Sequence, residues 1–214
     1  RAKLDGSLLD LLLNIEKKTK ISRFRISSIE PNLLTNDIIN FINDSSRFLP
    51  HFHIPLQSGN DKILKLMKRK YNTKMYRDKI DLIRSAIPDA CIGADIIVGF
   101  PDESADDFLK TFNYIESLDI NYLHVFSYSN RNGTIASNMK NQVSNNDKIL
   151  RSRSLHKLSE SKRFNFYKSN IGKIKKVLFE TELEDGYVVG FSDNYIRVKV
   201  KGDKSMLNKI FNVK

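Results

Sequence analysis

Residues 57–59, Gln-Ser-Gly, close a short apolar run with two hydrogen-bonding side chains and a residue that lets a ligand approach the backbone closely. Residues 97–100, Ile-Val-Gly-Phe, do the same around Gly99. Asp95 and Glu30 have carboxylates suited to ribose hydroxyls, Phe100 and Phe126 can flank a flat heterocycle, and Arg131 can pair with a carboxylate. Each residue also has a plainer use. Gly59 and Gly99 suit turns, Phe100 and Phe126 suit a core, and Asp95 suits a cap. His51 and His53, alternating along one strand, suit satisfied structural positions. The case for a site rests on four polar segments, each following an apolar strand: 27–31, 57–60, 99–103 and 128–131. No Gly-x-Ser-x-Gly, phosphate-binding glycine loop or His-Glu-x-x-His occurs. One cysteine, Cys91, excludes a zinc ribbon or a cysteine-ligated iron–sulfur cluster built within this chain.

The elements that must position these residues alternate. Apolar spacing predicts helices over 7–18, 35–43, 61–68, 73–87 and 105–118, with Thr35 and Ser104 as N-caps and Pro88 as a stop. Strands are expected at 24–29, 51–56, 92–98 and 122–128. This is an α/β pattern of right-handed βαβ units in a parallel sheet, about four strands with helices. Chemistry then belongs at the strand C-terminal ends. After a basic helix over 147–170 the pattern becomes alternating, with short strands at 175–181, 187–191, 195–200 and 210–213. That suggests a small antiparallel β-barrel or sheet. The expected division is 1–146, a connecting helix 147–170, and a second domain 171–214.

Composition narrows the class. The 214 residues are 40% apolar and 29% charged, as in a globular protein, and no run reaches the roughly 20 apolar residues of a membrane span. A lone cysteine fits a reducing, cytoplasmic setting. The net charge of +11 is uneven. Residues 147–176 hold ten Lys or Arg against two acids, and 62–79 hold eight against one. Such clustering points to a polyanion, nucleic acid before membrane. The plainer alternative is a solvated basic face.

Several motifs resemble those of the radical S-adenosylmethionine methylthiotransferases: His53-x-Pro-Leu-Gln-Ser-Gly59, Leu66-Met-x-Arg69, Asp95-x-Ile-Val-Gly-Phe-Pro-x-Glu103 and Phe126-x-Tyr-Ser-x-Arg131-x-Gly-Thr-x-Ala136. Arg25-x-Ser-Ser-Ile-Glu30 and Met67-x-Arg-Lys-Tyr71 look most like the branch acting on threonylcarbamoyladenosine in tRNA; the branch acting on isopentenyladenosine is the nearest competitor. The resemblance covers essentially the whole chain. It implies a partial (β/α) radical SAM barrel followed by a TRAM-like RNA-binding β-barrel, and addition of a methylthio group to C2 of a modified adenosine next to the anticodon. The cofactors implied for the parent enzyme are S-adenosylmethionine and [4Fe–4S] clusters. The family's three cluster cysteines are absent, so the chain corresponds to a C-terminal part, expected to bind no cofactor stably and to be inactive alone.

The resemblance places Ser27, Glu30, His53, Gln57, Ser58, Asp95, Ile97, Gly99, Phe126 and Arg131 at the cofactor pocket. Lys68, Arg69, Lys70, Lys173, Lys175 and Lys176 are expected at tRNA, with Tyr187 and Tyr195 available to stack on bases. A barrel edge at 24–29 is expected to favour self-association. A non-catalytic RNA-binding module is the alternative of another class, and a ribosomal protein is the family's other kind of substrate.

Overall fold

The computed structural model describes residues 6–214. Helices α1 (Leu8–Lys18), α2 (Asn36–Asp44), α3 (Asp61–Leu66), α4 (Thr73–Ala86) and α5 (Ala105–Ser117) alternate with strands β1 (His51–His53), β2 (Cys91–Val98) and β3 (Tyr122–Ser127). The strands form one parallel sheet in the order β1-β2-β3. Local chemistry sets most boundaries. Thr35 and Ser104 cap their helices through the expected hydroxyls, and Ser104 forms a reciprocal capping box with Asp107. Ile38, Ile39 and Ile42 of α2 and Tyr76, Ile80 and Ile83 of α4 pack with Phe52, Ile92, Ala94 and Ile96 in one core.

The first expected strand is the main departure. Residues 24–29 make only two isolated parallel bridges, Phe24 to Phe48 and Ser28 to His53, so the sheet has three regular strands and not four. Between those bridges the chain advances four residues on one side and five on the other. The surplus falls where Pro50, with no N–H, cannot continue a ladder. The edge expected to drive self-association is therefore not a regular strand edge. The basic region 62–79 falls on two helices as expected, α3 and α4, broken at Met67–Asn72, where Lys68 adopts φ +56°.

Helix α6 (Asn145–Asn170) is capped by Ser144 and buries a stripe of Arg151, Leu155, Ser159, Phe166 and Asn170, at helical spacing. Ser159 Oγ accepts from the Leu123 amide at 2.8 Å and donates to the Leu123 carbonyl at 3.2 Å. One hydroxyl thus satisfies both backbone groups of Leu123 on the outer edge of β3, which no strand covers among the described residues. Beyond α6, β4 (Lys175–Leu183), β5 (Tyr187–Ser192), β6 (Arg197–Lys201) and β7 (Ile210–Val213) form an antiparallel sheet in the order β6-β5-β4-β7. It is a curled half-barrel and not a closed one, since β6 and β7 remain its two edges. Its core is Val177, Phe179 and Val188, flanked by Val198, Val200 and Phe211. A Cβ at Gly190 would lie 1.9 Å from the Leu178 carbonyl oxygen, so only glycine fits where β5 crosses the β4 bulge.

Candidate functional site

The open face of the parallel sheet carries the chemistry. Side chains alternate along a strand, so Gly93, Asp95 and Ile97 of β2 share a face, and the register sets Tyr122, His124 and Phe126 of β3 opposite them. Ala94, Ile96 and Val98 face the helices and are fully buried. A Cβ on Gly93 would sit 2.1 Å from the Tyr122 ring. Glycine there lets the phenol lie across β2 and reach both histidines of β1. Tyr122 Oη is 2.9 Å from His51 Nε2 and 3.1 Å from His53 Nδ1. His53 Nε2 lies 2.8 Å from Asp95 Oδ1, and His124 Nδ1 lies 3.3 Å from the same oxygen.

A carboxylate only accepts, so the His53 Nε2 that bonds Asp95 carries a proton. His53 Nδ1 is then an acceptor for the Tyr122 hydroxyl. Burial, with Arg25 nearby, lowers the His51 pKa to about 3, so this imidazole is neutral. It donates from Nε2 to Tyr122 while its buried Nδ1 has no partner. The chain of contacts from His124 through Asp95, His53 and Tyr122 to His51 needed the register of three strands and was not legible from spacing alone.

Below it, Tyr195 closes the face. This residue adopts φ +68°, stacks on His51 with centroids 4.1 Å apart, and lies under the Arg25 guanidinium at 4.8 Å. Arg25 donates to the carbonyls of Ser192 and Asp193, and Arg23 donates to that of Lys176 at 2.8 Å. The irregular 24–29 segment thus joins the second sheet to the first. Tyr195 is held between His51 and Phe191 and is not free to stack on a base. Tyr187 lies under the Lys199 ammonium at 4.2 Å.

The ten residues expected at one pocket divide into groups. Ile97, Phe126 and Arg131 line a cavity of about 440 Å³ with Tyr128, Thr134 and Ala136. An adjoining cavity of about 310 Å³ shares Ile97, Tyr128 and Ala136 and is bounded by Lys68 and Arg69. His53 and Asp95 sit deeper on the same face. Gln57, at φ +68°, lies beyond β1 and makes an isolated bridge to Ile96, with its amide on the Asp95 carbonyl and its own carbonyl accepting from Ile97. Ser58 is fully buried against Thr111 at 3.1 Å and faces the helices. The Gly99 amide donates to Glu103 at 2.7 Å, so it is already occupied. Ser27 is exposed, and Glu30 is paired with Arg69 at 3.4 Å.

The lysines divide as well. Lys173 and Lys175 both hold Asp89, at 2.8 and 3.2 Å. Lys68, Lys70 and Lys176 are exposed and form no ion pair among the described residues.

A family model described as the Radical SAM superfamily matches residues 4–115. The chain belongs to the radical SAM superfamily. Among curated relatives, the threonylcarbamoyladenosine tRNA methylthiotransferase MtaB of Bacillus subtilis is 36% identical over 98% of this chain and 48% of its own length. The tRNA-2-methylthio-N(6)-dimethylallyladenosine synthase of Thermodesulfovibrio yellowstonii is 37% identical over 95% of this chain and 47% of its own. The chain therefore spans about half the length of the curated relatives it matches. In fold it is similar to the Escherichia coli coproporphyrinogen III oxidase HemN, a radical SAM enzyme, with a TM-score of 0.50 and 16% identity over 69% of this chain and 32% of that one.

The superfamily implies an iron–sulfur cluster and S-adenosylmethionine, and the residues present fit them unequally. Thiolates hold such clusters. The one cysteine, Cys91, is buried, and burial pushes its thiol up to about 12. It does not fit a cluster. We expect anaerobic reconstitution with iron and sulfide to leave the purified chain without acid-labile sulfide or visible charge-transfer absorption; either signal would contradict this account of the thiol. S-adenosylmethionine fits better. The 440 Å³ cavity is within the size range of small-molecule sites, and it combines apolar walls with a guanidinium able to pair with a carboxylate.

Proposed function

We propose that this chain is part of a radical S-adenosylmethionine tRNA methylthiotransferase, forming one wall of its reaction chamber and an RNA-facing surface. The observation that carries the reading is the extent of the similarity. The superfamily model ends at residue 115, whereas both kinds of tRNA methylthiotransferase align over 95–98% of the chain, through α6 and into the second sheet. A radical SAM enzyme sharing only the barrel has no reason to match there.

When bound, S-adenosylmethionine supplies the radical precursor. Ile97 and Phe126 would wall it on the open face, and Arg131 would hold its carboxylate. Gln57 holds β2 through the Asp95 carbonyl and the Ile97 amide, and so fixes the strand on which those walls stand. Ser58 and Gly99, whose polar groups are already bonded, act through backbone geometry. The second sheet is the proposed TRAM-like RNA-binding unit, and the substrate is a modified adenosine in tRNA. The motifs at 25–30 and 67–71 favour the threonylcarbamoyl derivative over the isopentenyl one; identities of 36% and 37% do not separate the two. The chain alone is proposed to be inactive.

The test is nucleoside mass spectrometry of tRNA from source cells in which the reading frame encoding this chain is disrupted. The methylthio derivative of threonylcarbamoyladenosine should disappear while its unmethylthiolated precursor accumulates. An unchanged nucleoside profile would favour the second reading, an RNA-binding module without catalysis, which the burial of the sole cysteine supports.

A further inference from the structure

His53, Asp95 and His124 are the one group of three His, Cys, Asp or Glu residues among those described whose ligand atoms lie mutually within 4.8 Å. They come from three adjacent strands, so the sheet register and not a flexible loop sets their spacing. Metal–ligand bonds of about 2.1 Å require ligand atoms about 2.9 to 3.5 Å apart, from octahedral to tetrahedral geometry. The two separations to Asp95 Oδ1, 2.8 and 3.3 Å, bracket most of that range. The side chains become more open in sequence: His53 is 9% exposed, Asp95 20% and His124 55%. A cation can therefore reach the group from the open face, and further coordination positions would point there.

We propose that His53, Asp95 and His124 form a binding site for a divalent first-row metal ion. Two imidazoles and one carboxylate with open positions suit zinc or ferrous iron better than magnesium or calcium, which prefer oxygen ligands. No net proton loss is required. His53 binds through Nε2, and its proton moves to Nδ1, which then donates to Tyr122 Oη. The Tyr122 hydroxyl turns to His51 Nε2, and the His51 proton moves to its unpartnered Nδ1. His124 binds through Nδ1 and carries its proton on the solvent-facing Nε2. Tyr122 thus orients the buried ligand, the function hydrogen-bonded partners serve around histidine ligands. The inference needs neither RNA nor S-adenosylmethionine and stands or falls apart from the function proposed above.

The test uses the purified chain, stripped with a chelator and titrated with Co(II) by visible absorption and with Zn(II) by calorimetry. One equivalent should bind at micromolar affinity or better. His124→Ala should abolish stoichiometric binding, as should Asp95→Asn, which keeps the side-chain shape if the first variant folds poorly. Tyr122→Phe should weaken binding about 10- to 100-fold. His156→Ala and Cys91→Ser, which alter the single histidine of α6 and the sole thiol, should bind as the parent does. Absence of stoichiometric binding, its persistence in His124→Ala, or its loss in His156→Ala would overturn the proposal.

Discussion

Replacing Arg151 by methionine is expected to destabilise the protein by about 3–5 kcal/mol at neutral pH, the cost typical of breaking a buried ion pair by removing one partner. Arg151 reaches from α6 to Glu103 at 2.5 Å, with the Glu103 side chain 1% exposed and that of Arg151 11%. Arg151 also donates to the Glu103 carbonyl at 3.0 Å. This pair fastens α6, and through it the second sheet, to the loop after β2. Without the guanidinium, Glu103 keeps only the Gly99 amide at 2.7 Å for a buried negative charge.

The loss should depend on pH with a defined sign. Burial raises the Glu103 pKa above its ordinary value even with Arg151 present, and removing Arg151 raises it further. A carboxyl whose folded pKa lies above its unfolded one favours the fold fully below the unfolded pKa and loses that contribution as pH rises through the folded one. The gap in melting temperature between parent and variant should therefore narrow as pH falls from 7 into the carboxyl range. Glu103→Gln, which removes the charge and keeps the shape, should lose less than Arg151→Met at pH 7. Urea and thermal unfolding at pH 7 and pH 5 measure both effects. A gap that widened on acidification would mean that Glu103 is not the group left uncompensated.

Most of the parallel layer was legible because its signals are local. Thr35, Ser104 and Pro88 mark helix ends by backbone chemistry, and the apolar run at β2 reads as a strand buried on both sides. The strand at 24–29 was not, since its apolar pattern is sound and the obstacle lies in its partner. Pro50 and one surplus residue break the ladder, which depends on register between distant segments. The same limit hid the His–Asp–His group. His53, Asp95 and His124 are 42 and 29 residues apart in sequence, and only the pairing of β1, β2 and β3 brings them together. Among the candidate pocket residues, Ile97, Phe126 and Arg131 meet in one cavity. Residue type alone could not show that Ser58 faces Thr111 or that the Gly99 amide is already bonded. Tyr195 looked like a stacking platform because a tyrosine in a small sheet often is one; its left-handed backbone and the contact with His51 are tertiary features.

A salt titration of tRNA binding checks the proposed RNA-facing surface. The exposed face of α6 carries Arg153, Lys157, Arg163 and Lys168, and Lys68, Lys70 and Lys176 are exposed without an ion pair among the described residues. If roughly four to six phosphates are engaged, log affinity should fall with log salt at a slope of about −3 to −5 by counterion release. Between 50 and 200 mM salt, that is a loss of roughly 60- to 1,000-fold. Changing Lys68, Lys70 and Lys176 together to alanine should make the slope shallower by about two to three. Changing Lys173 and Lys175, already held by Asp89, should matter less. We expect tRNA binding at low salt with this steep slope, moved by the first set of changes more than the second. No detectable binding at low salt, or an affinity and slope indifferent to the Lys68, Lys70 and Lys176 changes, would contradict it.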